Sequence, residues 1–344
     1  MKKSRLVLSI LSSLAAFALL MPQSGRADCP TFTVGPSNLS DAVVGMSYLQ
    51  PVTSRTWTTT GSLNDARWVP NANVLNDGRV FVCSGFFASW DEAKCEIYNP
   101  TTGQWTETQQ MVEGDTGRGG YFSATVLQNG KVLVFGGDGS FGTGFATEIY
   151  DPQSDTWETN ATPAAAVRFA HTATLLHSGK VLVTGGLDST DVWVKNAWLF
   201  DPATAAWTQT GSMHSARASH RATVLLNGKV LITDDTGTAE LYDPATGIFS
   251  VTDAPAESSG KCVTLLPNGN VLACTGANDG TDAEIYDLAT KTWRPTGSLH
   301  YSRWNATATL LRSGEVMVGG GTDELKISRS QRVRFMIRRL NRGL

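Results

Sequence analysis

Arg67, Arg168, Arg217 and Arg303 each stand eleven residues ahead of a glycine (Gly78, Gly179, Gly228 and Gly314). Ser258 takes that place before Gly269, and Arg118 is displaced by one before Gly130. A guanidinium carries five donors in a rigid fork. Arginines repeated at one offset can therefore brace their own loops through backbone carbonyls, or together form a cationic mouth for a carboxylate, sugar acid or acidic peptide. His171 and His220 each follow an arginine by three residues, so the repeat accounts for them better than catalysis does. His177, His214 and His300 read as surface loop residues. Proton transfer would need a singular acid near an arginine, yet Glu96, Glu148, Glu240 and Glu284 are all repeat positions. Asp191 and Asp279 read as loop caps rather than calcium ligands. No catalytic residue, metal or cofactor is assigned on these grounds.

The five cysteines are the other candidates for chemistry. Cys262 and Cys274 flank Asn268 at equal distance, so two strands joined by a turn there would set them face to face. Cys83 holds the repeat position of Cys274, and Cys95 falls on the strand beside it. The expected staples are Cys83–Cys95 and Cys262–Cys274, leaving Cys29 free. Two buried thiols per pair are the alternative, because cross-strand disulfides need narrow geometry. Disulfides persist in exported proteins. Residues 1–27 have a secretory layout: Lys2, Lys3 and Arg5, an apolar run Leu6–Leu20, then Gly25-Arg26-Ala27 before Asp28. The apolar run is short for a membrane span, which takes about 20 residues. Secretion or a periplasmic location is expected, with no membrane span once the leader is removed.

These residues are positioned by a repeated strand. Gly179–Gly186 reads GKVLVTGG, and counterparts start at Gly78, Gly130, Gly228, Gly269 and Gly314, spaced 52, 49, 49, 41 and 45 residues apart. A turn glycine followed by a short β-branched run is a strand signal, and strand units at this period form a propeller or solenoid. A strand-c aromatic (Tyr98, Tyr150, Phe200, Tyr242, Tyr286) is followed seven residues later by another (Trp105, Trp157, Trp207, Phe249, Trp293). Between them lies Asn-Pro, Asp-Pro or Asp-Leu, the chemistry of a tight turn. Each unit is thus four antiparallel strands, a to d. Such a sheet has two faces to bury, and a ring of sheets buries both.

With its double-glycine strand ends (Gly136-Gly137, Gly185-Gly186, Gly320-Gly321), its Tyr-to-Trp spacing and an arginine ahead of strand a, the stretch Trp57–Gly321 resembles the kelch-repeat family, in particular secreted bacterial members. The resemblance implies an all-β fold, a six-bladed kelch-type β-propeller of four-stranded antiparallel blades. Trp57 would supply a lone strand d to close the ring. Asp234-Asp235 and Thr275-Gly276 depart from the double glycine, and the last blade frays after Glu324-Leu325. Residues 28–56 resemble the opening of an immunoglobulin-like module and are expected as an arm on the propeller, residues 57–325. Residues 326–344 form a basic, off-pattern tail.

Residues 1–27 carry four Lys/Arg and residues 326–344 seven, with no acid in either, so the remaining 17 face all 31 acids for a body charge of about −14. An acidic body argues against nucleic acid as a partner. From each glycine to the strand-c aromatic the interval runs 20, 20, 21, 14 and 17, so the b–c loop is what varies. Variable loops on a rigid frame are where recognition usually sits. The ligand-binding candidates are Phe86, Trp90, Phe141 and Trp193 from these loops, with Arg67, Arg168, Arg217 and Arg303 on the same face. The expected function is non-enzymatic binding of a protein or glycan partner by a monomer. The resemblance also admits a galactose oxidase-like copper oxidase or a kelch-type sugar epimerase. The Tyr-His dipeptide of the oxidase ligand set has no counterpart; His300-Tyr301 is its reverse.

Overall fold

The computed structural model describes residues 60–64, 71–83, 95–112, 121–137, 147–234, 237–256, 258–276, 281–299, 304–311 and 314–322, with backbone alone at 258–261, 275–276, 304–305 and 320–322. Five four-stranded antiparallel sheets follow one another along the chain, each in the order a-b-c-d. They begin at strands a Asn71–Val74, Ser123–Val126, Thr172–Leu175, Arg221–Val224 and Ser258–Leu265, and we number the blades 1 to 5 accordingly. Each strand a touches the strand a of the next blade, so these strands are innermost. This is a β-propeller arrangement.

Sequence analysis predicts six four-stranded blades, and the structure corrects the count. Among the described residues five are four-stranded, and the sixth repeat contributes the hairpin Trp304–Leu310 with Val316–Thr322. Residues 323–344 lie outside the described residues, and their sequence carries neither the Asp-Pro turn nor the tryptophan that forms the c–d hairpin in other blades. The strand expected at Trp57 lies outside the described residues, as do the leader, the arm and the basic tail. Thr60–Gly61, just after it, is described. The Gly61 amide donates to Gly103 O at 3.0 Å, as the Gly211 amide, leaving blade 3, donates to Gly247 O of blade 4 at 3.1 Å.

Local chemistry explains each blade. Every described a–b turn places its glycine at positive φ, from Gly78 at +86° to Gly314 at +80°. Each c–d turn is an Asx turn: Asn99, Asp151, Asp201, Asp243 and Asp287 accept through Oδ1 from the amide two residues on, at 2.9–3.0 Å. The aromatics seven apart are cross-strand partners, with ring centroids 4.7–5.2 Å apart. Strand b is buried on both faces and so is almost wholly apolar, as in Val132–Phe135; the terminal Thr184 of Val181–Thr184 is buried with its hydroxyl hydrogen-bonded. Both expected disulfides are present, Cys83–Cys95 between strands b and c and Cys262–Cys274 between a and b, with Cα atoms 4.4 and 5.1 Å apart.

Tryptophans hold neighbouring blades together at the rim. The indole N–H of Trp105 donates to Gly61 O, that of Trp157 to Gln109 O, and that of Trp293 to Asp253 O, at 2.7–2.8 Å. In each case the acceptor belongs to the segment that leads into the tryptophan's own blade. Near the hub, Asn71 and Asn73 donate to Phe122 O and Ala124 O of the next strand a, and Thr125 donates to Ala173 O.

Candidate functional site

In blade 3 the b–c loop and the d–a segment meet on one face, through the bridge of Phe169 with Leu187. Arg168 and Arg217 lie there, each only 1 % exposed. Arg168 donates to four carbonyls, of Ala165, Ala166, Gly185 and Asn196, at 2.7–3.3 Å. Desolvation lowers its pKa to about 10. Arg217 instead pairs with Asp234 Oδ2 at 2.7 Å and Glu240 Oε1 at 2.8 Å. Arg217 also donates to Thr238 O at 2.9 Å, so both guanidinium groups bond within their own blades, while Arg217 Nε is buried with no partner among the described residues. Arg67 and Arg303 lie outside the described residues.

The difference between the two arginines comes from strand c. Blades 1, 2, 4 and 5 carry Glu96, Glu148, Glu240 and Glu284 at one buried register position, and blade 3 carries Trp198. In blades 1, 4 and 5 the glutamate accepts an amide of the entering segment: Asn64 N to Glu96, His214 N to Glu240, Ala256 N to Glu284. Burial pushes the Glu240 carboxyl up, but the His214 amide, Arg217 and the His214 ring outweigh it and hold the carboxyl below its ordinary range. In blade 3 the entering segment forms a short 3-10 turn, Ala164–Ala166, and its carbonyls replace the missing carboxylate as acceptors for Arg168. Trp198 Nε1 is buried with no partner among the described residues.

His171 and His220 are buried linkers between blades. His171 Nε2 meets Ser123 Oγ of blade 2 at 2.8 Å, and His220 Nε2 meets Thr184 Oγ1 and Thr172 Oγ1 of blade 3 at 2.8 and 3.1 Å. Burial first, then a nearby arginine, lowers both pKa values to about 3, so both rings are neutral.

The first glycine of each pair is explained by the next blade. A Cβ on Gly136 would come within 2.3 Å of Arg168 O, and one on Gly185 within 2.4 Å of Arg217 O. Closer to the axis, Tyr121, Ala170 and Ser219 share one repeat position and all adopt positive φ, +52° to +61°. That conformation lets the Ala170 amide reach Tyr121 O at 3.1 Å and the Ser219 amide reach Ala170 O at 2.8 Å. A run of backbone bonds thus passes from blade to blade around the mouth of the axis.

Above blade 3 this face carries an apolar row. Phe169 bridges Leu187, and Leu187 bridges Trp193. Directly opposed residues place their side chains on the same side of a sheet, so the three stand side by side. Tyr121 lies against Phe169 with centroids 6.4 Å apart. The row opens outward: Leu187 is 9 % exposed, Trp193 38 %, and the neighbouring Val192 56 %. The loop holding Trp193 is shaped by Asp188, which accepts from the Thr190 hydroxyl and from the Thr190 and Val192 amides, at 2.7–3.1 Å. The Thr190 hydroxyl contributes most to keeping the Asp188 carboxyl below its usual value. Asp191 sits at φ +60° in the tip. Phe86, Trp90, Phe141 and Asp279 lie outside the described residues. Among the described residues no three His, Cys, Asp or Glu side chains gather as a metal ligand set.

Sequence reading missed Leu187, Phe169 and the role of Glu240. The signal available for Glu240 was its absence from blade 3 alone, where Trp198 interrupts the series.

Residues 168–214 match the kelch motif. An F-box/kelch-repeat protein of Arabidopsis thaliana is 33 % identical over 107 residues, covering 30 % of this chain. The chain covers only a quarter (25 %) of that relative's length. Among solved structures, a fungal alcohol oxidase of the AA5 family in complex with copper aligns with a TM-score of 0.60 at 21 % identity, over 74 % of this chain and 59 % of that one. This second likeness concerns the fold alone.

Proposed function

We propose that this chain is an exported, non-enzymatic kelch-type propeller that binds a protein or glycan partner through the b–c and d–a loop face. The reading is carried by the row Phe169–Leu187–Trp193, an apolar surface opening to solvent beside Arg168 and Arg217, which bond within their own blades. Aromatic side chains of this kind bind partners through large apolar contact at small entropic cost. Kelch repeats generally serve protein interaction, which favours a protein over a glycan. Two disulfides, and the lack of any helix among the described residues long and apolar enough to cross a membrane, are compatible with an extracellular setting.

The test is capture of partners by immobilised full-length protein from an extracellular fraction and from a glycan panel. Trp193→Ala is expected to lower retention about tenfold or more with an unchanged melting temperature. Equal retention by the variant would remove this face from the reading.

A further inference from the structure

Strand d of each blade is paired on one side only, to strand c, so it forms the outer edge of its sheet. Such an edge offers a row of backbone N–H and C=O groups to any extended chain, and natural edges are commonly blunted by charge or proline. Three outer strands follow that rule: Gln104–Glu107 carries Glu107, Thr156–Asn160 carries Glu158, and Thr292–Pro295 carries Arg294 and Pro295. Ala206–Gln209 of blade 3 is uncharged, but it exposes only Ala206 and the polar Thr208 and Gln209. Blade 4 departs from all of them. Its strand d, Ile248–Thr252, reads IFSVT, with no charge, no proline and a β-branched residue at three of five positions. Ile248 is 62 % exposed and Val251 66 %.

The register shows what a partner strand would meet. Phe249 lies opposite Tyr242 and packs in the core shared with blade 3. Side chains alternate along a strand, so Val251 falls on the face of Phe249, while Ile248, Ser250 and Thr252 fall on the other. Ile248 and Val251 therefore flank the edge on both faces and would cover an added strand from either side.

We propose that the outer edge of blade 4 is a self-association surface, where a second copy of this chain pairs antiparallel with Ile248–Thr252, in place of the monomer expected from sequence. Charge selects the occupant. A twofold contact sets each residue against its symmetry counterpart, so a strand that pairs with itself needs an uncharged centre. Antiparallel pairing about Ser250 sets Ser250 against itself, Ile248 against Thr252 and Phe249 against Val251. The same pairing of Thr156–Asn160 would set Glu158 against Glu158, and like charges directly opposite destabilise a sheet. The body charge of about −14 makes copies repel one another elsewhere, and the neutral edge is where they can approach closely. Five residues span only about 17 Å, so the contact is small and the dimer weak.

Sedimentation velocity of the full-length protein across a dilution series tests it. A reversible monomer–dimer equilibrium is expected, strengthened by added sodium chloride because screening relieves repulsion between the acidic bodies. Val251→Lys and Ile248→Lys should each weaken it about tenfold or more, since a substitution enters a symmetric contact twice. Should Val251→Lys not fold, Ile248→Lys decides alone. Thr208→Lys, the same kind of change on the outer edge of blade 3, should leave the equilibrium as in the parent. A protein monomeric at every concentration overturns the proposal, as does a dimer that salt weakens or that the blade 4 variants leave unchanged. An equal loss in Thr208→Lys also overturns it, because added charge rather than this edge would then be the cause. Trp193→Ala should leave dimerisation intact, so the edge and the partner-binding row fail independently.

Discussion

Arg217 Nη2 donates to Glu240 Oε1 at 2.8 Å with both side chains 1 % exposed, and the same oxygen pair of Glu240 also holds the segment entering the blade through His214 N. One carboxylate therefore neutralises a buried charge and ties two stretches of backbone. Removing one partner of such a pair leaves the other buried without it, at about 3 kcal/mol or more. Glu240→Leu is expected to lower the urea midpoint by a corresponding amount with an unchanged slope. An unchanged midpoint would show that Asp234 alone satisfies Arg217.

The neutral histidines predict an acid-labile ring. His171 and His220 have folded pKa values of about 3, against an unfolded value near 6.5. Between those values the unfolded chain binds more protons, so stability rises with pH. Their contribution is complete above about pH 6.5 and is lost progressively as pH falls toward 3. Urea unfolding measured from pH 7 to pH 4 should show a loss on the order of several kcal/mol. The His171→Gln/His220→Gln variant should be less stable at pH 7 and flatter with pH over this range. A parent profile level from pH 7 to pH 5 would contradict the assignment.

Glycine is required at Gly185 for two reasons, and at Gly78 for one. Both sit at positive φ, but a Cβ at Gly185 also meets Arg217 O at 2.4 Å, whereas nothing lies within 4 Å of one at Gly78. Gly78→Ala should cost about 1 kcal/mol. Gly185→Ala should cost clearly more and lower the melting temperature further. Equal losses would mean that the next blade moves aside freely.

Each disulfide links residues 12 apart in sequence. Chain-entropy reasoning gives loops of this size about 2–3 kcal/mol. Non-reducing peptide mapping should recover Cys83 joined to Cys95 and Cys262 joined to Cys274. The Cys262→Ala/Cys274→Ala variant should lose stability in that range.

Much of this frame was legible in the chain because its signals are local. Asp201-Pro202 and the aromatic spacing from Phe200 to Trp207 define a hairpin without reference to anything distant, and the equal offsets of Cys262 and Cys274 from Asn268 define a register. The blade count was less legible, because it depends on whether residues after Glu324 form strands for which no turn chemistry is present. The roles of the arginines needed three dimensions. Arg168 and Arg217 share a repeat position, yet one caps a 3-10 turn and the other pairs with two acids, a difference set by Trp198 and Asp234 far along the chain. The row from Phe169 to Trp193 is likewise built from a d–a segment and both ends of a b–c loop, which only the folded sheet brings together.

The indole clasps have a direction. Trp105, Trp157 and Trp293 each reach backward, to chain that precedes their own blade. During synthesis a linker therefore stays unfastened until the following repeat has emerged as far as its outermost strand. Each of these three clasps can close only after the tryptophan of its own repeat has been made, whereas blade 3, whose Trp207 Nε1 has no partner among the described residues, and blade 4, which carries Phe249, have no such fastening.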